Sequence, residues 1–482
     1  MKKNRLFALT LLTITLAVTG CSASEVTSAL NQTVSQDTLE SSTASGKDES
    51  SETHDNSSSS EVSTQTETYM ASGSAFSSTS TLIDTSQIFT DRDLAQEADL
   101  TDASYITLTS GEDVTITEEG VYVISGSVSD CSIIVDADSS KIQLVLDGVT
   151  ITNTVSPAIY VKAADKVFVT TTDSTNTLKV TGTFTADGTT NTDAVIFSKD
   201  DLVLNGVGTL NIESTANGIS GKDDLKITGG TYNITSKEDA IEAKDSISIC
   251  DGSFTISSEK DGIHSENSDD TSVGYVYISG GSFDIDAAED GIQATTVLMI
   301  DGGNIKINAA EALEGTYIQI NDGTLDIYAT DDGINASNKS SSYDVVIEIN
   351  GGNISIEMAS GDTDALDANG KLIVNGGNID ITAQFAFDFD TSAEFNGGTI
   401  TVNGEEVTEI TESMQMGGPM GGNGGFGGQG GFRGQAPSGE VPSGDMPEMP
   451  SGEMPSGEKP SGEAPSGDMP QGGFQKGQGG QH

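Results

Sequence analysis

The 482-residue chain has no tryptophan, and aromatic residues make up only 5% of it. The flat indole platforms on which many carbohydrate modules stack neutral sugar rings are absent, so any sugar must be held by polar or ionic groups. Positive charge is scarce too: 21 Lys and Arg stand against 74 Asp and Glu, a formal charge of −53. That balance excludes nucleic acid and electrostatic attachment to anionic lipid, and it invites cations. Of the 10 prolines, Pro157 alone lies outside the C-terminal tail. Beyond residue 20 no stretch is apolar enough to span a bilayer.

At the N-terminus, Lys2, Lys3 and Arg5 precede a short apolar run from Leu6 to Val18, the pattern of an export signal. Val18-Thr19-Gly20-Cys21 resembles the lipobox of bacterial lipoproteins. The expectation is a signal peptide over 1–20, with lipid attached to Cys21 and the rest anchored outside the cell membrane. Residues 21–80 are Ser, Thr, Glu and Asp with little to bury, and read as a disordered linker. As a coil it would span roughly 40 Å. Residues 411–482 turn Gly- and Met-rich, then repeat Pro-Ser-Gly-Glu/Asp, a second low-complexity segment. Its methionines, among them Met414, Met416 and Met420, have the softness to ligate Cu(I), but flexible filler is the preferred reading.

The middle repeats. Gly208, Gly230, Gly252, Gly281, Gly303, Gly323, Gly352, Gly377 and Gly398 follow one another at steps of 22, 22, 29, 22, 20, 29, 25 and 21 residues. Hydrophilic insertions near Ser265–Asp270 and Ser337–Ser342 account for the two longest steps. After each glycine, apolar residues alternate, as in Tyr232/Ile234, Phe254/Ile256 and Phe283/Ile285, which is a strand period. A unit of about 22 residues with short strands and glycine corners is one coil of a solenoid, and a β-propeller blade would need about 40. The predicted fold is all-β, a right-handed parallel β-helix over 81–410, monomeric, with 101–204 forming the first coils and an N-terminal cap. Cys131 and Cys250 would sit several coils of about 4.8 Å apart, out of disulfide reach.

One position recurs before the second core aliphatic of each coil: Asp193, Asn217, Asp239, Asp261, Asp290, Asp332 and Asp364. Three residues on, a second acidic position appears as Glu242, Glu314 and Asp367, with Asp388 and neighbouring Asp390 at the equivalent place. Taken singly, Asp261-Gly262, Asp290-Gly291 and Asp332-Gly333 are ordinary turn dipeptides. Taken as a column, carboxylates about 5 Å apart repel by roughly 3 kcal/mol per pair at an effective dielectric near 20. Such a column needs protonation, splaying into water or a cation, and calcium, a hard ion taking six to eight oxygens, fits best. The candidate ligands are Asp239, Glu242, Asp261, Asp290, Asp332, Asp364, Asp367 and Asp388. Lys199-Asp200, Lys222-Asp223 and Lys244-Asp245 form another column, whose alternating signs predict a self-neutralising surface ladder.

Ile106-Thr107-Leu108, Gly120-Val121-Tyr122-Val123-Ile124-Ser125-Gly126, Ile142 through Val149 and Ala158-Ile159-Tyr160-Val161-Lys162, together with the Asp-Gly-Ile repeats, resemble the bacterial carbohydrate-binding domain family of calcium-loaded β-helices. That resemblance, over roughly residues 80–410, implies polygalacturonate or cellulose binding, a fold similar to family 9 pectate lyases, and calcium on the Asp column. An acidic protein would then hold an acidic polysaccharide through calcium with open coordination positions. Two alternatives remain. A calcium-assisted lyase would need a base, for which Lys237 and Lys260 are candidates, and a structural or adhesive wall protein would use calcium only for rigidity. Asn191-Thr192-Asp193 matches one motif of polygalacturonan hydrolases, whose other motifs are missing. The binder, with no catalytic residues, is the preferred reading.

Overall fold

The computed structural model describes residues 82–361 and 363–412. The expected signal peptide, Cys21, the linker to residue 80 and the tail methionines lie outside the described residues. Within them the chain forms 34 strands, almost all parallel, wound into a three-sheeted β-helix. One sheet stacks Lys166–Thr171, Asp201–Gly206, Asp224–Ile227 and Ser246–Ile249. A second stacks Thr209–Glu213, Thr231–Ser236, Ser253–Ser258 and their successors. A third stacks Ala194–Ser198, Asn217–Gly221, Ile241–Ala243 and Ile263–Ser265.

Each sequence repeat is one coil. In the second sheet the register runs Thr209, Thr231, Ser253, Ser282, Asn304, Thr324, Asn353, Asn378, Thr399, with the same steps as the anchor glycines. The alternating apolar residues point inward and form columns. Tyr232, Phe254 and Phe283 stack face to face, with ring centroids 5.1 and 4.6 Å apart, and Ile305, Leu325, Ile354, Ile379 and Ile400 continue the column, all buried. At the corner before the second sheet, Asn350, Asn375 and Asn396 each donate a side-chain amide to the asparagine one coil earlier, at 2.8, 2.8 and 2.9 Å. These bonds tie successive coils together at a corner where Asn375 and Asn396 are exposed. Cys131 and Cys250 are both buried.

Two expectations change. The N-terminal segment is a lateral strap rather than an end cap. Ile83, Ile88 and Phe89 pack on Tyr277, Val297 and Met299, Asp93 is buried between Lys166 and Lys226 at 3.8 Å from each, and Gln96 donates to the Thr228 carbonyl. Only after this does Ser104–Thr107 enter the first coil. The far end is closed by a turn-back, Glu405–Val407 pairing antiparallel with Thr399–Val402, which covers part of a last edge otherwise open to pairing with another chain. The lysine-aspartate ladder is also not self-contained: Lys222 reaches Glu242 and Lys244 reaches Asp269, each on the following coil.

The two insertions leave the helix at one corner, between Ile263–Ser265 and Tyr275–Ile278, and between Ile334–Ala336 and Val346–Ile349. The two coils between them have no loop there: Asp290–Ile300 and Glu311–Ile320 run through the corner as continuous strands, the pairing shifting at Ala294/Val297.

Candidate functional site: a two-column acidic track

The third sheet brings the recurring acids into two parallel columns. The first is tied together by its own carboxylates. The Asp239 amide donates to Asn217 Oδ1 at 2.9 Å, Asp261 to Asp239 Oδ1 at 3.3 Å, Asp290 to Asp261 Oδ1 at 2.8 Å and Asp364 to Asp332 Oδ1 at 3.2 Å. One oxygen of each accepting side chain thus serves the fold. In Asp239, Asp261 and Asp290 the Oδ2 atom faces the neighbouring column.

The second column follows from register alone: Ser220, Glu242, His264, Gln293, Glu314, Asn335, Asp367, Asp388. What stands in it decides how the charge of the first column is met. Glu242 is held by Lys222 at 3.1 Å, Asn217 at 3.0 Å and Ser220 at 2.8 Å, so it turns toward the preceding coil and away from Asp261. His264 Nδ1 lies 3.1 Å from Asp239 Oδ2 and 3.2 Å from Asp261 Oδ2. Burial would by itself lower the His264 value, but the Asp239 hydrogen bond and the charges of Asp261 and Glu266 outweigh it and push the imidazole up to about 9. A histidinium is therefore the cation between Asp239 and Asp261 at neutral pH. Gln293 donates to Asp290 and, at 2.6 Å, to Glu314.

Farther along the track the acids face one another. Asp290, Glu311 and Glu314 bring carboxylate oxygens within 4.8 Å. Burial first, then Asp261 and Glu314, hold Asp290 well above the usual carboxylate range, and burial pushes Glu311 up to about 7. Lys339 meets Glu314 at 2.6 Å. In the next coils, burial raises Asp332 to about 6, and burial plus Asp332, Asp388 and Asp364 raise Asp367 to about 7. No lysine, arginine or histidine among the described ion pairs reaches Asp332, Asp367 or Asp388.

Of the eight residues expected to ligate, Asp239 and Asp261 form one cluster with His264, Asp290 forms a second with Glu311 and Glu314, and Asp332, Asp364, Asp367 and Asp388 lie together at the C-terminal end. Glu242 stands apart, occupied by Lys222. Glu311 belongs to the first column, opposite Asp290, but lacks the Asp-Gly signature. Its spacing of two before Leu313, like that of Asp290 before Ile292, was the available signal. His264, Gln293 and Asn335 carry no acidic mark and are placed in the second column only by register. The candidate lyase bases are both in exposed ion pairs, Lys237 with Glu259 and Lys260 with Glu238. In the hydrolase-like motif Asn191 donates to its own Asp193.

The donor set fits a hard cation: carboxylate and amide oxygens, carboxyl values raised by burial first and by neighbouring acids second, and paired columns that offer several oxygens at once. Fold and track together define an acidic parallel β-helix that gathers ionisable groups on one sheet. Comparison with known proteins supplies the family. The model described as "Carbohydrate-binding domain-containing protein" matches residues 110–316 and 312–415, and the chain belongs to this family. A relative of the same description from Acetivibrio thermocellus is 40% identical over 128 residues, which is 25% of this chain and 44% of that one, so the match spans less than half of the relative. A solved structure, the polysaccharide lyase-like protein from C. thermocellum as its gadolinium derivative, is 30% identical, covers 46% of this chain and 95% of its own, and has a TM-score of 0.41.

Proposed function

We propose that the protein is a non-catalytic polysaccharide-binding lipoprotein, anchored at the outer face of the cell membrane. In this reading calcium sits on the acidic track, and an acidic, polygalacturonate-like polymer is held through it. The observation that carries the reading is the charge imbalance along the track. At Glu242 and at Asp239/Asp261 the protein supplies its own cation, from Lys222 and His264, whereas burial, with neighbouring acids adding to it, raises Asp332 and Asp367, and no basic side chain is paired to Asp332, Asp367 or Asp388 among the described residues. Calcium there would neutralise the cluster, and its remaining positions would take uronate carboxylates, which a chain of net charge −53 cannot attract directly. The paired state of Lys237 and Lys260 supports binding over lysis. The anchor at Cys21 and the monomeric state belong to the same proposal.

The test is retention of the full-length protein on immobilised polygalacturonate. In calcium it is retained with no release of ultraviolet-absorbing unsaturated sugar, and with chelator the affinity falls about 100-fold, ~2.7 kcal/mol. Release of unsaturated product would make it a lyase. Calcium-dependent stabilisation without retention on any polysaccharide would make it a structural wall protein.

A further inference from the structure

The two insertions differ from other corners in how they meet. Although separated by two coils, they touch: Ser340 Oγ donates to the Thr271 carbonyl, while the Ser340 amide donates to Thr316 Oγ1 at 2.9 Å and Thr316 Oγ1 to the Thr295 carbonyl at 2.8 Å. The uninterrupted strands Asp290–Ile300 and Glu311–Ile320 form the floor below. At about 4.8 Å per coil the bay is about 10 Å wide, and it encloses a cavity of about 260 Å³ lined by Glu266, Asn267, Thr271, Gln293, Thr295 and Lys339.

The lining is all hydroxyl, amide and charge, suited to a ligand rich in hydroxyls and unsuited to an apolar one. It is also pre-set. Asn267 is fixed by its amide to Asp245 at 2.7 Å and by the Asp269 and Asp270 amides on its oxygen, both at 3.0 Å. Gln293 is fixed between Asp290 and Glu314. Lys339 is the one basic group in the lining, and its ammonium now meets Glu314, a member of the Asp290/Glu311/Glu314 cluster. The Lys339 side chain is 30% exposed against 9% for Glu314, so the lysine is the partner free to move.

We propose that this bay is a subsite for one acidic sugar unit, and that the sugar carboxylate takes Lys339 from Glu314, which then joins Asp290 and Glu311 around calcium. The inference rests on the reading of the protein as a calcium-dependent binder of acidic polysaccharide and adds to it a place and an exchange. Sugar then takes the Lys339 end and calcium the Glu314 end of one ion pair, so each strengthens the other's binding, and the coupling is reciprocal. Removing the charge-assisted hydrogen bond between Lys339 and the sugar carboxylate weakens sugar binding about tenfold.

The experiment is calorimetric titration of the full-length protein, wild type and Lys339→Met, with calcium chloride and then with trigalacturonate in saturating calcium. Lys339 sits on an exposed insertion held by Ser340, so its loss leaves the coils intact. Lys339→Met is expected to bind calcium at least as tightly as wild type and trigalacturonate about tenfold more weakly, with Lys339→Arg recovering sugar binding. Trigalacturonate affinity unchanged in Lys339→Met overturns the subsite and leaves the calcium-dependent binder standing. Weaker calcium binding in Lys339→Met overturns the exchange. A wild-type protein that takes up no trigalacturonate in calcium overturns the underlying reading and the subsite with it.

Discussion

Stripped of metal, the β-helix is expected to lose stability steadily as pH rises from about 4 to about 9, and calcium is expected to reverse the loss. The folded values of Asp261 and Asp332, about 6, and of Glu311 and Asp367, about 7, lie above the unfolded ones of 3.8 for Asp and 4.5 for Glu. Between the two values the folded state holds more protons than the unfolded one, so stability is full at low pH and declines through pH 6–7 as these carboxyls ionise inside the fold. His264 extends the decline in the same direction. Its folded value of about 9 exceeds the ordinary 6.5, so the histidinium contribution is complete below pH 6.5 and lost as pH rises through 9. After solvent screening each group contributes about 1 kcal/mol, a few kcal/mol together. Calcium binds the deprotonated carboxylates, so its affinity grows through the window in which the stripped protein weakens. At 100 times its dissociation constant it adds about 2.7 kcal/mol. Thermal unfolding at acidic, neutral and alkaline pH, in chelator and in calcium, reads both slopes. A stripped protein more stable at pH 8 than at pH 5, or no response to calcium at either, contradicts the track as a cation site.

The coils were legible in the sequence because a solenoid repeats one turn geometry, and glycine marks it each time. Every step between anchor glycines reappears as a strand register, and the two long steps are the two insertions. The first carboxylate column was legible from its recurring place before the second core aliphatic, which marked Asp239, Asp261, Asp290, Asp332 and Asp364. The cations that answer them were not. Lys222 reaches Glu242 from 20 residues away and Lys339 reaches Glu314 from 25, so the pairing depends on side-chain reach across stacked coils rather than on any local pattern. Register, once known, places His264 between two aspartates, but nothing in Ile263-His264-Ser265 announces it. The strap over residues 82–103 is used once, so no periodicity revealed that Asp93 would be buried against Lys166 and Lys226.

Phe254→Ala is expected to produce the largest single loss of stability, about 3–5 kcal/mol, the range for deleting a buried ring and leaving its cavity. The ring is 2% exposed and lies between Tyr232 and Phe283, inclined by 13° and 3° to them, so both neighbours lose a stacking face and cannot close the gap without moving their strands. Shortening a residue farther along the same column, as in Ile379→Val, removes one methyl group and costs only about 0.5–1.5 kcal/mol. In a solenoid each coil is stabilised mainly by the coils it touches, so the Phe254→Ala damage should be local. Hydrogen exchange should quicken in Thr231–Ser236, Ser253–Ser258 and Ser282–Ala287 while Asn378–Thr382 keeps its protection. Calcium affinity at Asp332, Asp364, Asp367 and Asp388 should stay at the wild-type value, because those acids stand on coils that Phe254 does not touch. Loss of protection spread evenly to the C-terminal coils would show instead that the β-helix unfolds as one unit, and calcium bound at that end would then stabilise the aromatic stack as strongly as it stabilises its own coils.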